Sequence, residues 1–293
     1  MKTPIIFFGT EDFSAVSLQK LIDDNFNIVA IITKADSKKG RGQKIIPPKV
    51  KTIGKNYNIP VLQPTKIDEI ADFIKKIDNP VGILVSYGRI IPQKIIDLFT
   101  PGIINVHPSL LPKYRGPSPI ESAIINGDKK TGVSIMALSK DMDAGPVYKQ
   151  VEINLTGHEY ASDLYQTLAK IGAVELIKAL ESILLNKMTP RPQEEDRATY
   201  CQLLSKSDAF IDPKKITAEQ AYRHVRAYNI FPRTKMSFGG LNCIITKASP
   251  SLEPTENTIL MVNKTHLNIQ ELIAPSGKKM PYGDFKKGYL KTS

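Results

Sequence analysis

The sequence predicts a doubly wound α/β domain followed by a small β domain. Three observations lead there. Over residues 1–100, short apolar runs and amphipathic stretches alternate about five times, the pattern of a parallel sheet with crossover helices. A polar, proline-bearing stretch at 189–199 then interrupts the chain. Beyond it the segments are short, β-like and separated by Gly, Pro and Asn, as in a small β-barrel. In a chain of 293 residues this organisation predicts two domains, 1–188 and 207–293, joined by a linker at 189–206.

Each element has its reason. Residues 4–8 are continuously apolar and read as a buried strand ending at Gly9. A helix over 13–24 carries Phe13, Val16, Leu18, Leu21 and Ile22, and a second strand follows at 28–33. Strand, helix and strand at this spacing form a βαβ unit with a right-handed crossover. Gly9-Thr10 lacks the GxGxxG spacing, so nothing points to a dinucleotide. The stretch 34–44 has five basic residues, one acidic residue and two glycines. It cannot build a core and is expected to be a mobile loop, either a solvated surface or a basic arm that grips phosphates. Pro47-Pro48 opens a helix over 49–57. Next come a short strand at 61–62, an amphipathic helix at 67–77, a buried strand at 81–86, a short helix at 92–99 and a strand at 103–107. A helix is predicted at 118–126. A strand at 132–138, a turn through Lys140-Asp141-Met142-Asp143-Ala144-Gly145 and a strand at 146–153 then make a hairpin-like excursion. The longest helix covers about 160–185. In the second domain a helix at 218–227 precedes strands at 235–238, 242–248, 258–262 and 267–274.

Charge narrows the partners. Forty Lys+Arg against 29 Asp+Glu give +11, and 207–293 alone holds 13 against 7. A surplus of this kind suits a polyanion, and a basic, partly aromatic barrel is compatible with RNA. No apolar run approaches a membrane span, and Glu11 and Asp12 end the first one too early for a secretory signal. Cys201 and Cys243 are distant in sequence and belong to no disulfide or metal motif, which fits a reducing cytoplasm.

The chemistry is expected around 102–121. At the end of the strand at 103–107, Asn105 and His107 point to one face and Val106 to the other. The loop behind them, with Pro108, Pro112, Gly116, Pro117 and Pro119, is neither strand nor helix. Polar residues at a strand's carboxyl end are where α/β folds bind ligands, and Ser86–Gly88 closes another such strand. An amide donor beside a group that titrates near neutrality suits attack on a carbonyl: the amide steadies the oxyanion and the imidazole handles a proton. No Ser or Cys stands in the context of an activated nucleophile, which favours direct transfer, and no His/Cys cluster has metal spacing. The missing orienting carboxylate is expected from Asp141 or Asp143 at the hairpin tip.

These residues carry a resemblance. Asn105-Val106-His107-Pro108-Ser109-Leu110-Leu111-Pro112, then Tyr114-Arg115-Gly116 and Asp141–Gly145, resemble the signature of the formyltransferases that use 10-formyltetrahydrofolate. Phe8-Gly9-Thr10, Gly40-Arg41-Gly42-Gln43-Lys44, Val61-Leu62-Gln63-Pro64 and Tyr87-Gly88-Arg89-Ile90-Ile91-Pro92 resemble landmarks of the branch that acts on an aminoacyl-tRNA. The resemblance implies a Rossmann-like catalytic domain with an OB-like C-terminal barrel. It implies 10-formyltetrahydrofolate as formyl donor and a tRNA as partner, with no metal and no membrane, in a cytoplasmic monomer. Asn105, His107 and Asp143 match the family's active-site Asn, His and Asp, with Asn105 polarising the formyl oxygen, His107 assisting proton removal and Asp143 orienting His107. Folate would lie on Ser109, Leu110, Leu111 and Pro112 and on Ser86, Tyr87 and Gly88. Lys38, Lys39, Arg41 and Lys44 of the basic loop and Arg223, Arg226 and Arg233 of the C-terminal domain would hold the tRNA. Two alternatives stay open: a small-molecule formyltransferase acting on a nucleotide-sugar amine, and an RNA-binding protein that has lost catalysis. Asn105, His107 and Asp143 together argue against the second.

Overall fold

The computed structural model describes residues 2–39 and 42–290. Its first elements alternate as the apolar runs require. They are β1 (Pro4–Gly9), α1 (Asp12–Asp23), β2 (Asn27–Ile32), β3 (Ser37–Lys39), β4 (Lys44–Ile46), α2 (Lys49–Asn56) and β5 (Val61–Leu62). The one-turn helix α3 (Ala71–Ile74), β6 (Val81–Val85), the one-turn helix α4 (Gln93–Ile96) and β7 (Ile103–His107) follow. Then come α5 (Pro119–Asn126), β8 (Lys130–Ala137), β9 (Val147–Asn154) and the long helix α6 (Ala161–Leu184).

Seven of these strands form one sheet in the order β5-β2-β1-β6-β7-β8-β9. The first five are parallel. Parallel strands are covered on both faces, which is why β1 and β6 read as unbroken apolar runs; residues 5–8 are wholly buried. Strand β8 pairs antiparallel with β7, so the expected excursion extends the sheet itself and makes it mixed. The chain leaves β1 toward β2 and β5 and returns on its other side as β6. That reversal is a topological switch point, and a crevice forms at the carboxyl ends of such strands. There the amides of Thr10 and Glu11 donate to the carbonyl of Ser86 at 3.2 and 3.3 Å.

Two expectations in this part differ from the fold. The stretch 34–44, expected as a mobile loop, contributes to a β-hairpin in which Ser37, Lys38 and Lys39 pair with Ile46, Ile45 and Lys44. Composition excluded a core, but backbone pairing needs none, and the β-branched Ile45 and Ile46 favour it. The helix at 67–77 is a 3₁₀ turn (Ile67–Ile70) running into α3. Glu69 folds back to accept the amides of Thr65 and Lys66, both at 3.1 Å, which tightens the entry. Ile70 and Ile74 keep the expected buried spacing.

By internal contacts the chain divides into two units. The first comprises residues up to Pro117, Thr131–Ile153 and Tyr165–Cys201. The second comprises Ser118–Lys130, Asn154–Leu164 and the chain from Gln202. Much of the expected linker therefore belongs to the first unit. Arg191 and Val147 exchange two backbone hydrogen bonds of 2.8 Å, and Thr199 and Cys201 bracket Arg115. Its polarity serves hydrogen bonding within the fold.

The second unit holds α7 (Ala218–Ala227), β10 (Lys235–Phe238), β11 (Leu241–Ser251), β12 (Thr258–Leu260), β13 (His266–Ile273), β14 (Lys279–Pro281) and α8 (Tyr282–Tyr289). Its strands make an antiparallel sheet in the order β10-β11-β13-β12, with β14 also on β13, consistent with the expected small β domain. Gly239-Gly240 turns β10 into β11 with φ of 54° and 81°, the two positive values a tight hairpin turn demands. Helix α7 starts with a capping box, Thr217 Oγ1 taking the Gln220 amide and Gln220 Oε1 taking the Thr217 amide. It places Ala221 and Val225 in a core with Met236, Ile245, Leu267 and Ile269. Strand β14 and helix α8 had no counterpart in the sequence reading. Glycines at 283 and 288 obscure the helix, which buries Tyr282 and Phe285 against Phe238 at ring distances of 5.2 and 5.9 Å. Among the described residues no helix is long and apolar enough to cross a membrane.

Candidate active site

The pleat of β7 delivers the central pair as its alternation requires. Asn105 and His107 are both buried, at 4% and 5% exposure. On the opposite face, a side chain at Gly172 of α6 would press on Val106, so helix and strand pack closely there. The Asn105 side chain makes no hydrogen bond among the described residues.

His107 is held in one tautomer. Its Nε2 lies 2.9 Å from the carbonyl oxygen of Tyr114. A carbonyl only accepts, so Nε2 carries the proton and Nδ1 of the neutral ring does not. Nδ1 faces Asp143, whose Oδ2 is 3.7 Å away. That is longer than a hydrogen bond and short enough for a strong charge interaction once the ring is protonated. The same Oδ2 accepts the Gly116 amide at 2.8 Å. Of the two aspartates on the β8–β9 turn, Asp143 reaches the imidazole while Asp141 is exposed. Asp143 sits at φ 49°, a left-handed conformation that Asp tolerates better than most residues. Gly116, at φ 117°, must be glycine, because a side chain there would collide with the Cys201 carbonyl.

The proline loop is held by one hydrogen bond of its own and three to side chains of β8 and β9. Ser109 Oγ donates to the Lys113 carbonyl at 2.6 Å, and Ser134 Oγ donates to the Ser109 carbonyl at 2.7 Å. Ser134 Oγ also accepts the Leu111 amide, and Gln150 Nε2 donates to the Leu111 carbonyl at 2.7 Å. The Leu111–Pro112 peptide is cis. Ser109 and Leu111 are buried, whereas Leu110 and Pro112 are half-buried. On the β6 side, Ser86 is half-buried and Gly88 exposed. The Tyr87 ring is fully buried edge-on against Phe8 at 5.7 Å, and burial pushes its hydroxyl up in pKa. Only backbone groups of Tyr87 remain for a ligand.

Sequence reasoning missed a third set. Arg115 is 1% exposed, and all five of its N–H donors are used. Nη1 and Nη2 donate to the two carboxylate oxygens of Glu195 at 2.8 and 2.6 Å. Nε and Nη2 donate to Gln193 Oε1 at 3.1 and 2.9 Å, and Nη1 donates to the Tyr200 hydroxyl at 3.2 Å. Bonding to Glu195 raises the Arg115 pKa despite burial, and Arg115 in turn holds the Glu195 carboxyl below its ordinary range. Gln193 Nε2 donates to the carbonyls of Asp143 and Gly145, both at 2.7 Å. An open groove of about 480 Å³, lined by Arg115, Asp141, Met142, Gly145, Glu195 and Tyr200, runs beside this network. The available signal was a Gln and a Glu two positions apart in an extended stretch, matched to an Arg-Gly.

The basic residues fare unequally. Lys38 and Lys44 are exposed on the hairpin strands. Arg41 lies outside the described residues, as does the side chain of Lys39. Arg233 is half-buried at φ 70°. Arg223 donates to Glu219 and to the Asn126 carbonyl, both at 3.3 Å. Arg226 departs from the expectation: it is 2% exposed, donates to the Glu159 carbonyl at 3.0 Å and lies 4.5 Å over the Tyr222 ring. A guanidinium committed in this way is not open to a phosphate, because helix α7 turns it toward the interior of its own unit.

A buried amide and imidazole at a sheet's carboxyl edge, with a carboxylate brought in by a neighbouring turn, supply the groups that acyl transfer on an α/β sheet would require. The formyl transferase family pattern matches residues 1–180, and the chain belongs to that family. Among its relatives are methionyl-tRNA formyltransferases. That of Sulfurihydrogenibium sp. is 41% identical over 80% of this chain and 76% of its own length. That of Thermotoga neapolitana is 34% identical over 98% and 95%. Among solved structures, the N-formyltransferase of Helicobacter canadensis, in complex with folinic acid and dTDP-3-aminofucose, shares the fold. It superposes with a TM-score of 0.67 at 20% identity, covering 92% of this chain and 99% of that one.

Proposed function

We propose that this chain transfers the formyl group of 10-formyltetrahydrofolate to the α-amino group of methionine on initiator methionyl-tRNA, for translation initiation. The observation that carries the reading is the approach of Asp143 to His107, 3.7 Å away, on the strand that also carries the buried Asn105. Similarity over most of the chain to methionyl-tRNA formyltransferases supports the choice of acceptor.

The residues divide the work. The amine nitrogen bonds to the formyl carbon, and that carbon's bond to the folate nitrogen breaks. Asn105 donates its side-chain N–H to the formyl oxygen as charge develops there. Nδ1 of His107, the ring nitrogen without a proton, takes the proton that the amine loses. The carboxylate of Asp143, 3.7 Å away, stabilises the resulting imidazolium. The proton ends on the nitrogen of the departing tetrahydrofolate. No metal ion is assigned a part.

Folate lies against 109–112 and 86–88, Tyr87 contributing backbone only. Lys38, Lys39, Arg41, Lys44, Arg223 and Arg233 take the tRNA phosphates in a cytoplasmic monomer. A nucleotide-sugar amine is the second reading, favoured by the likeness in fold to the Helicobacter canadensis enzyme. Purified protein given 10-formyltetrahydrofolate and either charged initiator tRNA or a nucleotide-sugar amine separates the two. Formyl-methionine on the tRNA, with the sugar left unmodified, is expected; the opposite selectivity overturns the reading.

A further inference from the structure

We propose that Gln193 is a positioning residue for the transfer reaction, acting through Asp143. The inference rests on the function proposed above and deepens it. The side chain is fully committed. Its two N–H bonds go to the carbonyls of Asp143 and Gly145, and its oxygen takes two N–H bonds from Arg115. The partners fix the amide's orientation, since carbonyls must face the NH₂ and a guanidinium must face the oxygen. Gln193 therefore ties the turn that carries the carboxylate to a buried cation whose five N–H donors are all engaged. Arg115 is buried, bound through both oxygens of Glu195, and held in the backbone by Thr199 and Cys201.

The arrangement closes a circuit around His107. Tyr114, whose carbonyl fixes the tautomer, and Gly116, whose amide holds the carboxylate, flank Arg115 in sequence. Gln193 secures the other end of the circuit, the backbone of Asp143 itself. Without it, the Asp143 carboxylate keeps the Gly116 amide, but its backbone is left to the turn's own bonds, the Ala144 amide and Ser139 Oγ donating to the Asp141 carbonyl at 3.3 and 3.1 Å. A displacement of about 1 Å at such a position is enough for a loss near a hundredfold.

The test is a double-mutant cycle on the full chain with two readouts. Gln193→Ala is expected to lower kcat by about tenfold to a hundredfold with KM for the folate within about twofold. In an Asp143→Ala background the same change is expected to cost less than about twofold, because the residue it positions is gone. Gln193→Glu keeps the Arg115 contact and sets a carboxylate against two carbonyls, so it should match Gln193→Ala in kcat while retaining the thermal midpoint. Backbone hydrogen exchange of 140–146 is measured alongside and should quicken in Gln193→Ala. A full, additive loss in the Asp143→Ala background, or unchanged exchange in 140–146, overturns the proposal. If the parent protein formylates no tRNA, the proposed function fails, and the exchange result still decides whether Gln193 holds the turn.

Discussion

Nδ1 of His107 and Oδ2 of Asp143 are 3.7 Å apart, too far for a hydrogen bond and a charge contact only when the ring is protonated. The carboxylate oxygen is engaged instead by the Gly116 amide at 2.8 Å, and the imidazole by the Tyr114 carbonyl at 2.9 Å. Each group is oriented by backbone, and the free interaction left between them is electrostatic. Asp143→Asn keeps an oxygen for the Gly116 amide and removes the charge. It is expected to lower kcat by about a hundredfold with the thermal midpoint retained. Steady-state kinetics beside a melting curve checks this; full turnover would remove the carboxylate from the mechanism.

The basic hairpin makes a separate prediction. Lys38 and Lys44 are exposed on paired strands and face no buried core. Replacing both with Ala is expected to weaken tRNA binding and to reduce the slope of log affinity against log salt by about one to two units. At saturating tRNA, kcat should be unchanged. Binding titrations at several salt concentrations read the slope, and an unaltered slope would take the hairpin out of the tRNA interface.

The second unit has a pH dependence of its own. Burial holds the His224 imidazole below its ordinary value of 6.5, with the Asp208 charge pulling the other way. Its Nδ1 is buried with no partner among the described residues, and the ring packs edge-on to Tyr228 at 5.2 Å. Above 6.5 both folded and unfolded chains carry the neutral ring. As pH falls from there toward the lowered folded value, the unfolded chain binds a proton that the folded chain refuses, so stability falls. Melting curves between about pH 7.5 and 5.5 should show this decline, and His224→Gln should flatten it. An identical decline in the variant would assign it to other groups.

The buried strands were legible because parallel pairing demands continuous apolar runs, and β7 was legible because alternation fixes which residues share a face. The Asn105–His107 pair needed only a strand end; the turn offered Asp141 and Asp143 alike, and Asp143 was singled out by the family resemblance alone. Three features were not legible for physical reasons. The hairpin at β3–β4 is held by backbone pairing that composition does not report. Helix α8 carries two glycines that disfavour a helix locally, and packing of Tyr282 and Phe285 overrides them. The stretch holding Gln193, Glu195 and Thr199 is polar because it hydrogen-bonds to Arg115, Asp143 and Tyr114. The same polarity is what a solvated linker shows. Arg226 misled in the opposite sense: it was expected to hold the tRNA, and it faces inward.

In the proposed function the buried amide of Asn105 stabilises charge on the transferred formyl oxygen. The most direct measurement is the single-turnover rate of formyl transfer to charged initiator tRNA by the parent protein and by Asn105→Ala, with tRNA affinity measured on the same samples. The predicted result is a rate lower by about a hundredfold to a thousandfold and an affinity within about twofold. A variant that transfers the formyl group at the parent rate would contradict the account.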